Sequence, residues 1–272
     1  MKLPECDTLR LEREGPVLHL TLDRPAARNA MSEHMVDELV EVFEALEADD
    51  NEAIRVVVMR GAEGNFCAGG DIKDMATLRQ SPGSLDGSDD AATYIRRIGR
   101  FLELANSCRP ALVAVLEGAV LGGGFGVACV SDVAIARADA KFGLPETGLG
   151  LVPAQISPFV VARIGLTQAR RLGVCGVRFD GAEALRLGLV HFSEPDDAAV
   201  NNRLQETIKL IQRCAPDANA ATKKIMLRAE GGEPLGSLLD HAAVVFSTAL
   251  HSEEGREGNE AFIEKRRPHW AQ

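Results

Sequence analysis

The chain has 272 residues, 46% of them hydrophobic, which is enough apolar material for a sizeable core in one or two domains. Its 30 Lys and Arg against 40 Asp and Glu give a formal net charge of −10, which disfavours general binding to nucleic-acid phosphates. The six cysteines form no metal-type or redox-type pair and are too few for a disulfide scaffold. Because residues 1–14 also lack an apolar signal segment, we expect a cytoplasmic protein with free thiols.

The first two thirds of the chain alternate strand signals with helix signals. Short apolar runs predict strands at residues 17–22, 54–59, 112–116, 133–136 and 189–192. Ser32 is a good N-cap, and apolar residues at helical spacing follow it. The remaining sequence predicts helices at residues 198–214, 217–229, 234–250 and 253–265. This pattern indicates an α/β class, with an α/β core at 1–195 and a helical region at 196–272.

One apolar segment, 111–130, requires a membrane test. Gly118, Gly122 and Gly126 have the four-residue spacing of packed membrane helices. Glu117 lies inside the segment, however, and three consecutive glycines at 122–124 weaken a helix. A strand, a glycine turn and a helix therefore explain the segment better than a membrane span.

The segment 79–90 is polar and rich in Ser, Gly, Pro and Asp. This composition predicts a mobile loop. Loops near sites often act as lids, and a surface insertion with no role is the alternative.

Two glycine-rich turns each lie between a strand and a helix signal: the first glycine turn, 66–71, and the second glycine turn, 121–126. Such turns let backbone N–H groups approach a ligand oxygen, and a pair of them could place two donors on one developing oxyanion. Tight packing of strand on helix is the alternative reading. Neither turn has the pattern of a phosphate-binding or dinucleotide-binding loop.

Glu146 is the one charged residue in an uncharged Gly, Pro and Leu stretch. A carboxylate in apolar surroundings suits general acid–base work near neutral pH, and an exposed loop glutamate is the alternative. The six histidines are scattered without ligand-like spacing, so no metal site is expected.

Seven short segments, taken in order, resemble the crotonase (enoyl-CoA hydratase/isomerase) superfamily over nearly the whole chain. They are LDRP at 22–25 with NAM at 29–31, FCAGGDIK at 66–73, AVLEG at 114–118 running into GGG at 122–124, SD at 131–132, FGLPE at 142–146, GLV at 188–190 and FIEKRRP at 262–268. The resemblance implies a crotonase-like spiral of ββα units with a helical C-terminal oligomerisation region. It also implies an acyl-CoA thioester substrate, no cofactor beyond the substrate's own CoA, and a homotrimer or dimer of trimers. The acidic charge and the interrupted apolar segment, for their part, lead us to expect no nucleic-acid or membrane partner.

The resemblance also assigns site residues by motif position. The oxyanion-hole N–H groups fall on Gly70 and Gly123, and the acid–base carboxylate falls on Glu146. Residues along the adenine and pantetheine path would be Ala68, Asp71 and Ile72. The C-terminal segment, which in relatives helps bind CoA and often comes from a neighbouring subunit, contributes Phe262 and Lys265.

The chain departs from the family pattern at Gly126, where typical hydratases have a first catalytic glutamate. The segment 150–161, GLVPAQISPFVV, resembles a bacterial subgroup that includes methylglutaconyl-CoA and isohexenylglutaconyl-CoA hydratases of leucine and acyclic terpene breakdown, which also lack that glutamate. We therefore expect a lyase that hydrates isohexenylglutaconyl-CoA or 3-methylglutaconyl-CoA. The alternatives are a Δ3,Δ2-enoyl-CoA isomerase that uses Glu146 alone and a non-catalytic or RNA-binding relative.

Two further expectations concern the surroundings of such a site. The second carboxylate of a glutaconyl group needs a cation or N–H donors, and Arg96, Arg97 and Arg100 lie on a predicted helix that could reach a pocket. A solvated basic helix face is the alternative reading of these arginines. Ser157 and Pro158 are suited to start the next helix, as an N-cap and a first-turn residue.

Overall fold

The computed structural model describes residues 3–48, 54–80, 82–84 and 86–271. The strands within these residues are β1 Leu9–Glu14, β2 Val17–Leu22, β3 Val56–Gly61, β4 Ala111–Leu116, β5 Ala119–Leu121, β6 Val133–Arg137, β7 Lys141–Gly143, β8 Arg178–Phe179 and β9 Phe192–Glu194. The α-helices are α1 Glu33–Ala48, α2 Ile72–Leu78, α3 Asp90–Ser107, α4 Gly123–Val130, α5 Ser157–Cys175, α6 Gly181–Arg186, α7 Asp197–Gln212, α8 Pro216–Glu230, α9 Leu235–His251 and α10 Glu253–Ile263.

A six-stranded sheet in the order β1-β2-β3-β4-β6-β9 forms the centre of the molecule. β1 and β2 pair antiparallel, with Leu9 opposite Leu22, and the other neighbours run parallel. Parallel neighbours need long crossovers, and helices supply them, as α1 does between β2 and β3. β3 and β4 are near-continuous apolar runs because both faces of the sheet are covered.

Each face of the central sheet packs against its own set of helices. On one face, Phe43 of α1 meets Phe101 of α3 edge to face, with ring centroids 5.5 Å apart. On the other face, α7 covers the sheet with Val200, Leu204 and Ile208. Alternate residues of β3 and β4 enter the two clusters, as the two-residue period of a strand requires.

A second, three-stranded sheet lies in the order β5-β7-β8. β5 and β7 pair parallel, and Phe142 of β7 stacks on Phe179 of β8 at 5.7 Å. Because β5 leads directly into the second glycine turn, this small sheet fixes where that turn lies.

The structure confirms most of the expected elements and corrects several. The strand expected at 189–192 is wrong: Leu189 and Val190 are buried without strand pairing, and the strand β9 begins at Phe192. The strand expected at 54–59 begins two residues later, at Val56. The sequence patterns also did not indicate β1, β5, β7 or β8, because these strands are charged or very short.

The apolar segment 111–130 contains β4, β5 and α4, with Gly122 between β5 and α4. In the described part of the chain, no helix has the length and apolar character needed to cross a membrane.

The polar segment 79–90 connects α2 to α3. Ser84 N–H and Ala92 N–H donate to the Asp89 carboxylate at 2.7 and 2.8 Å, so Asp89 caps α3. Ser81 and Leu85 lie outside the described residues. The mobility and the lid role expected for this segment stay predictions.

Candidate active site

The two glycine turns lie side by side beyond the carboxyl ends of β3 and β4. A parallel bridge joins Cys67 to Val120. A Cβ placed on Gly122 would lie 3.4 Å from Gly69 Cα, so the two turns are in direct contact. Gly122 and Gly69 have φ of +50° and +102°, a region that glycine adopts at little cost.

Gly70 and Gly123 each present a backbone donor. The bridge between Met31 and Gly70 uses Met31 N to Gly69 O at 2.8 Å and Asp71 N to Met31 O at 2.9 Å. Since successive peptide groups of extended chain point to opposite sides, the Gly70 N–H points away from that bridge. Gly123 opens α4, and N–H groups in the first turn of a helix have no intrahelical acceptor.

Glu146 lies next to the second glycine turn, at the start of a short 3-10 helix, Glu146–Leu149. Its Oε1 atom is 3.0 Å from the position of a Cβ on Gly122. Its Oε2 atom is buried and has no hydrogen-bond partner among the described residues. Burial raises the pKa of Glu146 above the ordinary value of 4.5, because the charged form loses its hydration.

One cavity of about 210 Å³ is lined by Gly70, Gly123 and Glu146. The rest of its wall is mainly apolar and includes Met31 and Met75. Two backbone donors and one carboxylate with a raised pKa in an apolar cavity can polarise a carbonyl and move a proton beside it.

The resemblance to the crotonase superfamily implies a first glutamate at position 126, but this chain has a glycine there and neighbouring side chains fill the space beside it. Gly126 is buried in α4, and a Cβ there would lie 2.8 Å from Ile156 Cγ2 and 3.0 Å from Leu102 Cδ1. A longer side chain would have to displace both neighbours. In the described part of the chain, Glu146 is the one carboxylate on the cavity wall.

A larger cavity of about 500 Å³ lies at the amino ends of β4 and β6, away from the glycine turns. Several of its charged groups have partners: Lys223 pairs with Asp132 at 2.6 Å, and Arg163 Nε donates to Leu189 O at 3.0 Å. We therefore place the chemistry in the smaller cavity, which holds the buried carboxylate oxygen without a partner.

Ala68, Asp71 and Ile72 follow one another along the first glycine turn and into α2, but they differ in exposure. Ala68 is partly exposed, and Ile72 is 81% exposed. Asp71 is buried; it caps α2 by accepting from Lys73 N–H at 2.8 Å and pairs with Arg24 at 2.7 Å. Asp71 thus supports the turn, whereas Ile72 is accessible to a ligand.

Phe262 and Lys265 lie at the end of α10 and just after it. Both are exposed, Phe262 by 85%, and neither lines the cavity. Within one chain, the structure does not bring these two residues to Gly70, Gly123 and Glu146.

The three arginines of α3 pair with acidic residues. Arg97 meets Asp37 at 2.5 Å and Arg100 meets Glu44 at 3.0 Å, so these two belong to a surface network. Arg96 pairs with Glu103 at 2.9 Å, and its NH1 atom lies close to Gly99.

The helix expected at Ser157 and Pro158 is α5. Pro158 occupies its first turn, whereas Ser157 does not cap it: the Ser157 hydroxyl donates to Pro153 O at 2.6 Å.

The sequence patterns missed two features that depend on tertiary contact. Met31 packs against Gly123, and its carbonyl accepts from the buried Tyr94 hydroxyl at 3.0 Å; no local pattern indicates this role. Asp7, His34 and Glu38 also meet, with ligand-type atoms within 4.8 Å of one another. Spacing along the chain hides this cluster, because Asp7 comes from a segment remote from α1.

Comparisons with known proteins point to one family. A family model described as enoyl-CoA hydratase/isomerase matches residues 12–272. Among curated relatives, a probable enoyl-CoA hydratase of Bacillus subtilis is 32% identical over 92% of this chain and 93% of its own length. The 2,3-dehydroadipyl-CoA hydratase of Escherichia coli is 32% identical over 96% and 97%.

Solved structures give the same result. AtuE of Pseudomonas aeruginosa is 57% identical with a TM-score of 0.91, covering 98% of this chain and 100% of that one. An enoyl-CoA hydratase/isomerase of Marinobacter aquaeolei is 49% identical with a TM-score of 0.94 and the same coverage. The chain belongs to the enoyl-CoA hydratase/isomerase family. It has the α/β crotonase fold of these structures and is an enzyme of the enoyl-CoA hydratase type.

Proposed function

We propose that the chain adds water to a branched 2-enoyl-CoA. The Gly70 and Gly123 N–H groups hold the thioester oxygen and stabilise the enolate. The Glu146 carboxylate takes a proton from water as the water oxygen bonds to C3, and the π electrons move to the thioester oxygen. Protonated Glu146 then gives its proton to C2 as the carbonyl re-forms. Water is consumed and no cofactor beyond the substrate's CoA is needed.

The observation that carries this proposal is the buried, unpaired Oε2 of Glu146 beside two glycine N–H donors. An unpaired buried carboxylate oxygen is costly in a folded protein. A substrate group or a water molecule in the cavity would give it a partner.

Isohexenylglutaconyl-CoA and 3-methylglutaconyl-CoA are the substrates we propose. The segment 150–161, which resembles hydratases of these thioesters, supplies cavity-wall residues from Leu151 to Ile156. An apolar wall suits a branched acyl chain. The Escherichia coli relative is named for a dehydroadipyl thioester, which fits a family site that accepts a carboxylated acyl chain.

The second candidate is a Δ3,Δ2-enoyl-CoA isomerase. The filled space at Gly126 favours it, because a single carboxylate suffices to shuttle one proton between C4 and C2. Isomerisation consumes no water, so the two reactions leave different products.

The test is the loss of enoyl-thioester absorbance with crotonyl-CoA, 3-methylglutaconyl-CoA and isohexenylglutaconyl-CoA, followed by product mass. We expect fast decay and a gain of one water with a glutaconyl thioester, and the faster of the two identifies the pathway role. If none of the three thioesters loses absorbance and solvent deuterium enters a 3-enoyl-CoA, the enzyme is an isomerase and the proposed hydration is wrong.

We also propose a cytoplasmic homotrimer or dimer of trimers, with the helical region 196–272 in the contact. Apolar side chains exposed on α9 support this assembly: Leu235, Leu239, Val244 and Phe246. A neighbouring chain would bury them and bring its own Phe262 and Lys265 toward the CoA path. Light-scattering molar mass tests the assembly.

A further inference from the structure

Gln155 and Glu146 are the polar side chains on the cavity wall within the described residues. Gln155 precedes α5, and its carboxamide packs directly on Gly99 of α3. A Cβ built on Gly99 would overlap Gln155 Oε1 and lie 3.0 Å from Gln155 Cδ. The missing side chain of Gly99 therefore forms a notch that the Gln155 carboxamide fills.

Gly99 is buried in the middle of α3, where glycine costs about 1 kcal/mol relative to alanine. The notch explains why a glycine stands at position 99, because an alanine there would push the Gln155 carboxamide away. Gly236 provides a comparison: it lies in the first turn of α9, and a Cβ there would meet nothing within 4 Å.

Arg96 approaches the same notch from one turn earlier on α3. Its NH1 atom lies 3.0 Å from the Cβ position of Gly99, and its NH2 atom donates to both oxygens of Glu103, at 2.9 and 3.1 Å. Oε1 is the Gln155 carboxamide atom nearest to the Gly99 Cβ position, so the Nε2 hydrogens are the donors that Gln155 can offer to a ligand in the cavity.

We propose that Gln155, whose carboxamide fills the Gly99 notch, binds a second carboxylate on the acyl chain and makes the enzyme selective for carboxylated enoyl-CoA thioesters. The Gln155 amide N–H groups are donors from which a carboxylate can accept. The other side chains near them, such as Ile95 and Ile98, are apolar, so a carboxylate entering this end needs these donors. This inference rests on the proposed function in one respect only: the thioester oxygen binds at the Gly70 and Gly123 N–H groups.

Binding of saturated thioesters tests the proposal without turnover. 3-Methylglutaryl-CoA and isovaleryl-CoA differ by one carboxylate, and neither can be hydrated. In titration calorimetry we expect the wild type to bind 3-methylglutaryl-CoA at least tenfold more tightly. Gln155→Leu should remove most of that preference and leave isovaleryl-CoA binding within twofold, and Gln155→Glu should reverse the preference by charge repulsion. Gln205→Leu, at an exposed position of α7, should change neither Kd.

Gly99→Ala tests the notch itself. The atom it meets is the end of a flexible side chain, so the variant should fold with an unchanged or higher Tm while losing the carboxylate preference. Gly236→Ala should change neither ligand's Kd.

A wild type without preference would overturn the proposal, as would a Gln155→Leu variant that weakens both thioesters equally. If the preference holds but no thioester is hydrated, the proposed hydration fails and the carboxylate site stands.

Discussion

At Glu146, the burial that raises the carboxyl pKa also leaves Oε2 without a hydrogen-bond partner among the described residues. An unsatisfied buried polar group costs about 1–3 kcal/mol of folding free energy. Because the pKa of Glu146 is higher in the folded than in the unfolded chain, the folded state binds more protons above pH 4.5, and its stability falls as pH rises through that window. Glu146 is thus both the proposed acid–base group and a residue that lowers the stability of the fold.

Replacing Glu146 by Gln should separate these two effects. We expect kcat to fall by about 10²–10⁴, the range that general acid–base groups contribute. The Tm at pH 7.5 should rise, since no charge is buried, and the gain should shrink toward pH 4.5. Calorimetric unfolding across pH and the absorbance assay check both, with exposed Glu5→Gln as control. Near-normal turnover in Glu146→Gln would exclude it as the acid–base residue.

The pH profile of the wild type follows from the same residue. Glu146 must be ionised to accept a proton from water, so kcat/KM should fall as pH drops through its raised pKa. The midpoint of this acid limb should lie above 4.5, and Glu146→Gln should lack it. A limb at or below 4.5 in the wild type would contradict the effect of burial.

At Gly126, adding a carboxylate should lower stability without adding activity, because neighbouring side chains already occupy the space beside this glycine. Gly126→Glu places a charged side chain against Ile156 and Leu102, so it should lower stability by more than about 3 kcal/mol, as an unpaired buried charge does, and add no activity. Gly126→Ala should cost about 1 kcal/mol or more from overpacking. Urea unfolding measures both. A folded Gly126→Glu variant with faster hydration would show that the space adapts.

At the scale of elements, α2 connects the first glycine turn to the rest of the fold. Burial would raise the pKa of Asp71, but the hydrogen bonds from Arg24 and Lys73 N–H and the charge of Arg24 outweigh it, and the pKa is held below 3.8. The stability from these bonds is present above pH 3.8 and lost as pH falls through the folded pKa. Asp71 is also the residue directly after Gly70, so a shift of the helix cap would move the proposed oxyanion donor.

Two helix caps can therefore be compared. Asp71→Ala and Asp180→Ala each remove an N-cap acceptor, for α2 and α6, and each should cost about 1 kcal/mol or more. Only Asp71→Ala should also lower kcat/KM, because Asp180 lies away from the cavity. Thermal unfolding and the absorbance assay give the two readouts. Equal activity losses would mean that general destabilisation explains both.

Elements with a strong local pattern could be predicted from the sequence, and short or charged ones could not. β2 has the expected bounds, and α9 differs from its expected bounds by one residue, because period-2 and 3.6-period signals are local. β1 reads LRLERE, so its charges conceal a strand paired along one side. Leu189 and Val190 are apolar because they are buried, not because they pair in a sheet, and periodicity cannot tell these cases apart.

At the scale of the whole molecule, the candidate site depends on contacts between distant segments. Glycine turns and a lone carboxylate are visible in the sequence, but their meeting requires β5 and the bridge from Cys67 to Val120. The family resemblance supplied that arrangement where spacing could not. The filled space at Gly126 and the notch at Gly99 depend on side chains more than twenty residues away, so only the folded chain shows them.

The C-terminal helices form the proposed contact between chains. α9 buries Leu238 alone among its described apolar side chains, and Phe246 is 70% exposed in the single chain. Exposed apolar faces of this size indicate an interface, so Phe246→Asp should shift the light-scattering mass from the trimer or hexamer toward the monomer. Val174→Asp, on α5 outside the region 196–272 and 76% exposed, should leave the mass unchanged. Because Phe262 and Lys265 lie outside the cavity of one chain, the Phe246→Asp monomer should also bind CoA thioesters more weakly while its Glu146 site stays intact. A monomeric wild type with full activity would remove both the assembly and any role for these residues in trans.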